Sequence, residues 1–320
     1  MSLTPRPSFP VLLLAGPTAT GKTALAIALA RRLKAEIISA DSMQIYRGCA
    51  IGTAQPTLEE LGGIPCHLVN HLEPDQPWCV ADWLRAARRT AQEIQGRGRA
   101  VIIAGGAGLY FKAWTDGIFE APGAGRKADL RARLEAEWDA DGGKTLGEIL
   151  RRVDPAAAAR VHPNDRLRVV RALEVYESTG QALSELQAQG RRRHNPPAAL
   201  RFVLCAGREE LYRRINERVL EMMRRGFEEE GRRLLASGAT ESWPAMRALG
   251  YPQMLRLARG ETVREAAAAE TQQLSRRYAK QQMVLFRQWP GAVWLDAGRG
   301  SQKNAGTVEK MLEFYPSDGF

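Results

Sequence analysis

Gly16-Pro17-Thr18-Ala19-Thr20-Gly21-Lys22-Thr23 follows the spacing G-x-x-x-x-G-K-[ST]. Its two glycines let the backbone curl so that several N–H groups converge on one anion. Lys22 adds a point charge for phosphate oxygens, and the Thr23 hydroxyl is placed to ligate Mg²⁺. The expected ligand of these eight residues is therefore a phosphate or diphosphate. The first carboxylate to follow a strand is Asp41, succeeded by Ser42, Met43 and Gln44. Beside a phosphate loop it suits three roles: a base acting on a substrate, a water-mediated metal contact, or the cap of a turn.

The surrounding pattern supplies the elements that must position these groups. Val11–Ala15 is a continuous apolar run of the buried parallel-strand type, and Ala24–Leu33 has apolar residues at helical spacing. The loop thus sits between a strand and a helix, the context that separates a phosphate-binding loop from a chance match. Glu36–Ser39 reads as a second strand, residues 48–77 as a loop, Ala81–Gln95 as a helix and Ala100–Ala104 as a third strand. Most such loops serve nucleotide cleavage, so a small-substrate kinase is one reading. Against it, the strand Ala100–Ala104 runs into Gly105-Gly106 rather than ending in an Asp for Mg²⁺.

From about residue 120 the pattern turns helical, broken by Gly142-Gly143, Asp154-Pro155 and His162-Pro163. Arg201–Ala206 restores a strand, followed by helical stretches at 209–237, 246–259 and 263–289 and a closing strand at 292–295. The expected fold is α/β: a P-loop parallel-sheet core (1–119 and 200–320) with an inserted helical domain (120–199) and a helical C-terminal region.

With 44% apolar and 26% charged residues, the 320-residue chain has enough apolar sequence for a full core, which excludes wholesale disorder. The apolar run at Val11–Ala15 is too short to cross a bilayer, and the regions of a signal peptide are missing, so no membrane partner is expected. Four unevenly spaced cysteines suggest reduced thiols in the cytoplasm rather than a disulfide framework. Cys66, His67, His71 and Cys79 lack the paired spacing of a zinc site. A net charge of +10 points to a polyanionic partner.

Further motifs follow the loop in order: Asp41-Ser42-Met43-Gln44-Ile45-Tyr46-Arg47-Gly48 with Ile51-Gly52-Thr53-Ala54-Gln55-Pro56, Ile64-Pro65-Cys66-His67-Leu68, and Gly105-Gly106-Ala107-Gly108-Leu109-Tyr110. After them come His162-Pro163-Asn164-Asp165 with Arg168, Arg171-Ala172-Leu173-Glu174-Val175-Tyr176, and Arg277-Tyr278-Ala279-Lys280-Gln281-Gln282. From about Val11 to Asp296 this series resembles the bacterial tRNA isopentenyltransferases, the tRNA dimethylallyltransferase family.

The resemblance implies transfer of a dimethylallyl group from dimethylallyl diphosphate to N6 of the tRNA adenosine 3′-adjacent to the anticodon, giving N6-isopentenyladenosine. The loop Gly16–Thr23 then binds a diphosphate leaving group. Asp41 is implied as the base, with Lys22, Thr23 and Arg218 in the catalytic set and Mg²⁺ on Thr23. The tRNA-facing residues implied are Asp41, Ser42, Met43, Gln44, Ala107, Arg168, Arg171, Arg247, Gly250, Tyr251, Lys280, Gln281, Gln282 and Arg287. The inserted domain is implied to bind tRNA, and the chain is expected to act as a monomer. The sequence departs from the family's usual residues at Ala107, commonly Thr, at Gln281, Met283 and Leu285, commonly Arg, Thr and Trp, and at Pro252, where a basic residue is usual.

Overall fold

The computed structural model describes residues 10–118, 128–193, 198–297 and 301–315. The chain divides into two compact units, one formed by residues 1–112 and 197–320 and the other by residues 113–196. The boundary expected at 119/120 lies outside the described residues. The one expected at 199/200 would cut a strand, because Ala199 and Leu200 already pair with Val11 and Leu12.

In chain order the elements are β1 (Val11–Ala15), α1 (Lys22–Leu33), β2 (Glu36–Ser39), α2 (Leu58–Leu61), β3 (Cys66–His67), α3 (Val80–Gly96), β4 (Val101–Gly105) and α4 (Gly108–Asp116). The second unit holds α5 (Ala128–Asp141), α6 (Lys144–Val153), α7 (Pro155–Ala158), α8 (Arg166–Thr179) and α9 (Leu183–Arg193). The first unit resumes with β5 (Ala199–Cys205), α10 (Arg208–Arg224), α11 (Phe227–Ala236), α12 (Tyr251–Ala258), α13 (Arg264–Arg287), β6 (Val293–Asp296) and α14 (Ser301–Leu312). No described helix is long and apolar enough to cross a membrane.

The sheet has six strands in the order β3-β2-β4-β1-β5-β6, every pairing parallel. β1 is buried along its whole length, as its unbroken apolar sequence requires of a strand covered on both faces. The chain leaves β1 towards β2 and β4 on one side and later adds β5 and β6 on the other. That reversal opens a crevice at the carboxyl end of β1, where an α/β sheet binds its ligands.

Leu12, Leu14, Leu25, Leu29, Ile102 and Phe202 pack as one core of the sheet unit. A second cluster gathers Ile45, Tyr46 and Cys49 against Phe227, Tyr251 and Met254 of the C-terminal helices. The inserted unit has its own core, with Leu134, Trp138, Leu146, Leu150 and Leu173.

Several boundaries differ from the sequence reading for local reasons. The helix expected over 209–237 is two helices, because Gly226 sits at φ +95°, a left-handed conformation that ends one helical path and starts another. The helix expected from residue 246 begins at Tyr251, after a 3₁₀ turn at Pro244–Arg247 and a second left-handed glycine, Gly250. The expected loop 48–77 contains α2, whose start is a capping box between Thr57 and Glu60, and the two-residue strand β3. Helix α14 is an element the sequence reading did not anticipate.

Candidate active site

Gly16–Thr23 forms the turn from β1 into α1. Gly16 passes so close to β5 that a Cβ there would lie 2.4 Å from the Leu204 carbonyl oxygen, which excludes any side chain. Ala19 (φ 64°) and Gly21 (φ 85°) hold the left-handed conformations that fold the loop into a concave nest. Pro17 closes the loop on itself: its carbonyl accepts the Lys22 ammonium at 2.7 Å and the Thr20 hydroxyl at 2.8 Å.

A pocket of about 330 Å³ opens beside this loop. Lys22 and Thr23 line it with Asp41 from the end of β2, Gly105 and Gly106 from the end of β4, and Arg218 from α10. Gly105 is as constrained as Gly16, since a Cβ would fall 2.1 Å from the Ala40 carbonyl oxygen. Ile215, Val219 and Met222 of α10, at i, i+4 and i+7, form an apolar wall completed by Leu249. The surroundings therefore join a polar anion cradle to a hydrocarbon surface.

Burial pulls the Lys22 ammonium down to about 7, with repulsion from Arg218 adding to it and attraction from Asp41 opposing it. Burial likewise lowers the Arg218 guanidinium from its ordinary value, against attraction from Asp41 and Glu60. Arg218 is a pocket residue with a desolvated charge, not a solvated helix Arg. Asp41 is both a cap and a pocket carboxylate. Its Oδ1 accepts the N–H of Met43 at 2.9 Å and that of Gln44 at 3.4 Å, while its Oδ2 has no hydrogen-bond partner among the described residues.

The residues expected to face tRNA separate into distinct environments. Ser42, Met43, Gln44 and Arg247 line the pocket, with Arg247 exposed. The Gln44 amide is engaged by protein: its oxygen accepts the Ser39 hydroxyl at 3.0 Å and its nitrogen donates to the carbonyl of Ala54 at 3.0 Å. Ala107 is not part of the lining; its N–H donates to the Ala40 carbonyl at 3.0 Å. Gly250 and Tyr251 are buried, and the Tyr251 hydroxyl donates to Glu230 at 2.7 Å. Lys280, Gln281 and Arg287 are exposed on α13, whereas Gln282 is buried and hydrogen-bonded to the loop residue Thr18. Tyr251 and Gln282 are thus core and cradle residues rather than surface contacts. In the inserted unit, α8 carries the exposed Arg168, 3.4 Å from Asp165, and Arg171, 2.9 Å from Glu174.

Cys66 and His67 form β3 and pair with Ile37 and Ile38 of β2. His67 lies 2.7 Å from the buried Glu36, which Arg97 also meets at 2.8 Å. Burial pushes the Glu36 carboxyl up, but these partners outweigh it and hold it below the usual value. The Cys66 thiol is pushed up to about 12 by burial.

The family model described as IPP transferase matches residues 44–289. The chain belongs to the IPP transferase family. It is 46% identical over 292 residues to the tRNA dimethylallyltransferase of Syntrophobacter fumaroxidans, an alignment covering 91% of this chain and 85% of that one. It is 42% identical over 286 residues to the enzyme of the same name from Geobacter sulfurreducens, covering 89% and 91%. The solved tRNA isopentenylpyrophosphate transferase of Bacillus halodurans superposes with a TM-score of 0.68 at 35% identity, covering 95% of this chain and 96% of that one. A eukaryotic dimethylallyltransferase acting on tRNA gives a TM-score of 0.80 at 26% identity, covering 95% and 78%.

Within this site, sequence reasoning missed the hydrocarbon wall of α10, and missed Thr271 and Ser275 in the pocket-lining stripe of α13 that also carries Tyr278 and Gln282. The stripe's i, i+4, i+7, i+11 spacing was the available signal. It also missed Glu230, which accepts the N–H groups of Ile51 at 2.8 Å and Gly52 at 3.0 Å and so fixes the loop after Asp41.

Proposed function

We propose that this protein is a tRNA dimethylallyltransferase that moves the prenyl group of dimethylallyl diphosphate onto N6 of the adenosine 3′-adjacent to the anticodon. Beyond family membership, one observation carries the reading: Lys22, Thr23, Asp41 and Arg218 share a pocket with the apolar wall Ile215, Val219, Met222 and Leu249. A diphosphate on a short hydrocarbon needs both surfaces at once.

In this reading the diphosphate occupies the nest of Gly16–Thr23. Breaking the allylic C–O bond builds negative charge on the leaving oxygen and positive charge on carbon. The loop N–H groups, the α1 N-terminus, Lys22 and Arg218 stabilise the former where it develops. The target adenine leaves its stack to enter the pocket. As the N6–carbon bond forms, Asp41 takes the N6 proton through Oδ2, its Oδ1 remaining on the Met43 amide.

Thr23 and Asp41 both line the pocket. The Thr23 hydroxyl with diphosphate oxygens and water would make a set of hard oxygen donors that suits Mg²⁺, Asp41 meeting the ion only through water. When bound, the ion neutralises charge on the departing diphosphate. In this reading the enzyme acts as a monomer in the cytoplasm, where it meets its tRNA substrate. The exposed cations of α13 and α8 supply phosphate contacts for the tRNA.

Incubation with unmodified tRNA and labelled dimethylallyl diphosphate tests the reading. Label should enter the tRNA at the adenosine beside the anticodon. Robust ATP hydrolysis or phosphoryl transfer without prenyl transfer would overturn it.

A further inference from the structure

Gln282 lies on α13 with 3% of its surface exposed, and both ends of its amide are used. Its Oε1 accepts the N–H of Thr18 at 3.0 Å, and its Nε2 donates to the Gly106 carbonyl at 2.9 Å. One side chain thereby ties the phosphate loop at the end of β1 to the glycine turn at the end of β4. The fit is close: a Cβ on Gly106 would lie 2.3 Å from the Gln282 amide nitrogen.

The tie selects one loop amide and leaves the others. Thr18 spends its N–H on Gln282, whereas the N–H groups of Ala19, Thr20, Gly21, Lys22 and Thr23 have no partner among the described residues. Thr18 is the residue just before this run of open donors. Fixing it sets where the run begins and how it faces, and an anion cradle gains affinity from such preorganisation.

Helix geometry separates this role from RNA contact. Thr271, Ser275, Tyr278 and Gln282 share the pocket face of α13. At about 100° per residue, Arg277, Lys280 and Arg287 fall on the opposite side, and all three are exposed.

From this geometry we infer that Gln282 is a positioning residue for the diphosphate cradle, holding Thr18 in register with Gly106, and not a tRNA contact. The inference rests on the reading of the loop as a diphosphate site. Binding of inorganic pyrophosphate with Mg²⁺, tRNA binding and amide hydrogen exchange are to be measured on the full chain for wild type, Gln282→Met and Gln282→Glu. Methionine has similar volume but loses both hydrogen bonds; glutamate keeps the acceptor for Thr18 and loses the donor.

Gln282→Met should weaken pyrophosphate binding roughly tenfold, the equivalent of one to two hydrogen bonds, and leave tRNA affinity within about twofold. Exchange in the segment containing Thr18 should quicken while α13 stays protected. Gly106→Ala should mimic it, and combining the two should add little, because both break the same tie.

Unchanged pyrophosphate affinity in a folded Met variant would overturn the inference, as would a tRNA loss equal to the pyrophosphate loss. If the Met variant does not fold, the Glu variant decides by the same readouts. Loss of protection throughout both variants would make Gln282 a core residue and overturn it too. Failure of the wild type to bind pyrophosphate at all would instead strike the diphosphate reading.

Discussion

Asp41 Oδ1 accepts the backbone N–H of Met43 at 2.9 Å, so the carboxylate that faces the pocket is also the cap of the turn behind it. The two roles use different oxygens, and one substitution separates them. Asn keeps the capping oxygen and the size but removes charge and basicity. Asp41→Asn should therefore fold normally and bind tRNA nearly as well. Its single-turnover prenyl transfer should fall roughly a hundred- to ten-thousandfold, the usual range for loss of a general base. A near wild-type rate would reduce Asp41 to its capping role.

The Lys22 ammonium sits near 7 in the free protein. A bound diphosphate favours the protonated form, so binding and protonation are linked. Below pH 7 the lysine is already charged and affinity carries no penalty from it. As pH rises above 7 the free protein loses this proton, and pyrophosphate must bind with uptake of one. Calorimetry at pH 8 in buffers of different ionisation enthalpy should report that uptake, and Lys22→Ala should abolish it.

Glu230 is 2% exposed and accepts the N–H groups of Ile51 and Gly52 and the Tyr251 hydroxyl. Tyr251→Phe removes one donor and should cost about 1–2 kcal/mol in denaturant unfolding. Glu230→Ala leaves the buried Tyr251 hydroxyl and two part-buried N–H groups without an acceptor and should cost about 3 kcal/mol. Because the loop they hold follows Asp41, transfer should also decline in Glu230→Ala at temperatures where the protein is still folded.

Lys280 and Arg287 are exposed with no ion-pair partner among the described residues, whereas Arg171 is paired with Glu174. If the first two meet tRNA phosphates, each Ala substitution should lower the slope of log affinity against log salt by about one. Arg171→Ala should lower it by less, since its charge is already partly compensated. Filter-binding titrations across salt concentrations would measure the slopes, and equal slopes in all three variants and wild type would remove these residues from the interface.

The strand–loop–helix of Val11–Leu33, the strands β2 and β4 and the helical character of the insertion were legible in the chain, because each depends on local pattern. A buried parallel strand announces itself as an apolar run, and the phosphate loop by glycines at a set spacing. The glycine loop and Asp41 could be located for the same reason, and the further motifs in order carried the family resemblance. What the chain did not disclose were properties of residues distant in sequence. By local pattern Arg218 reads as an ordinary helix arginine; only the family resemblance singled it out, and only the packing of α10 brings it to the pocket with Lys22 and Asp41. Gln282 was expected to face tRNA with its neighbours on the basic helix, yet it is separated from Thr18 by 264 positions and bonded to it. Residue type and spacing determine which groups are present and which local turn holds them. Packing alone decides which of them lose water and meet, and with that which arginine lies in the pocket wall and which glutamine ties the phosphate loop.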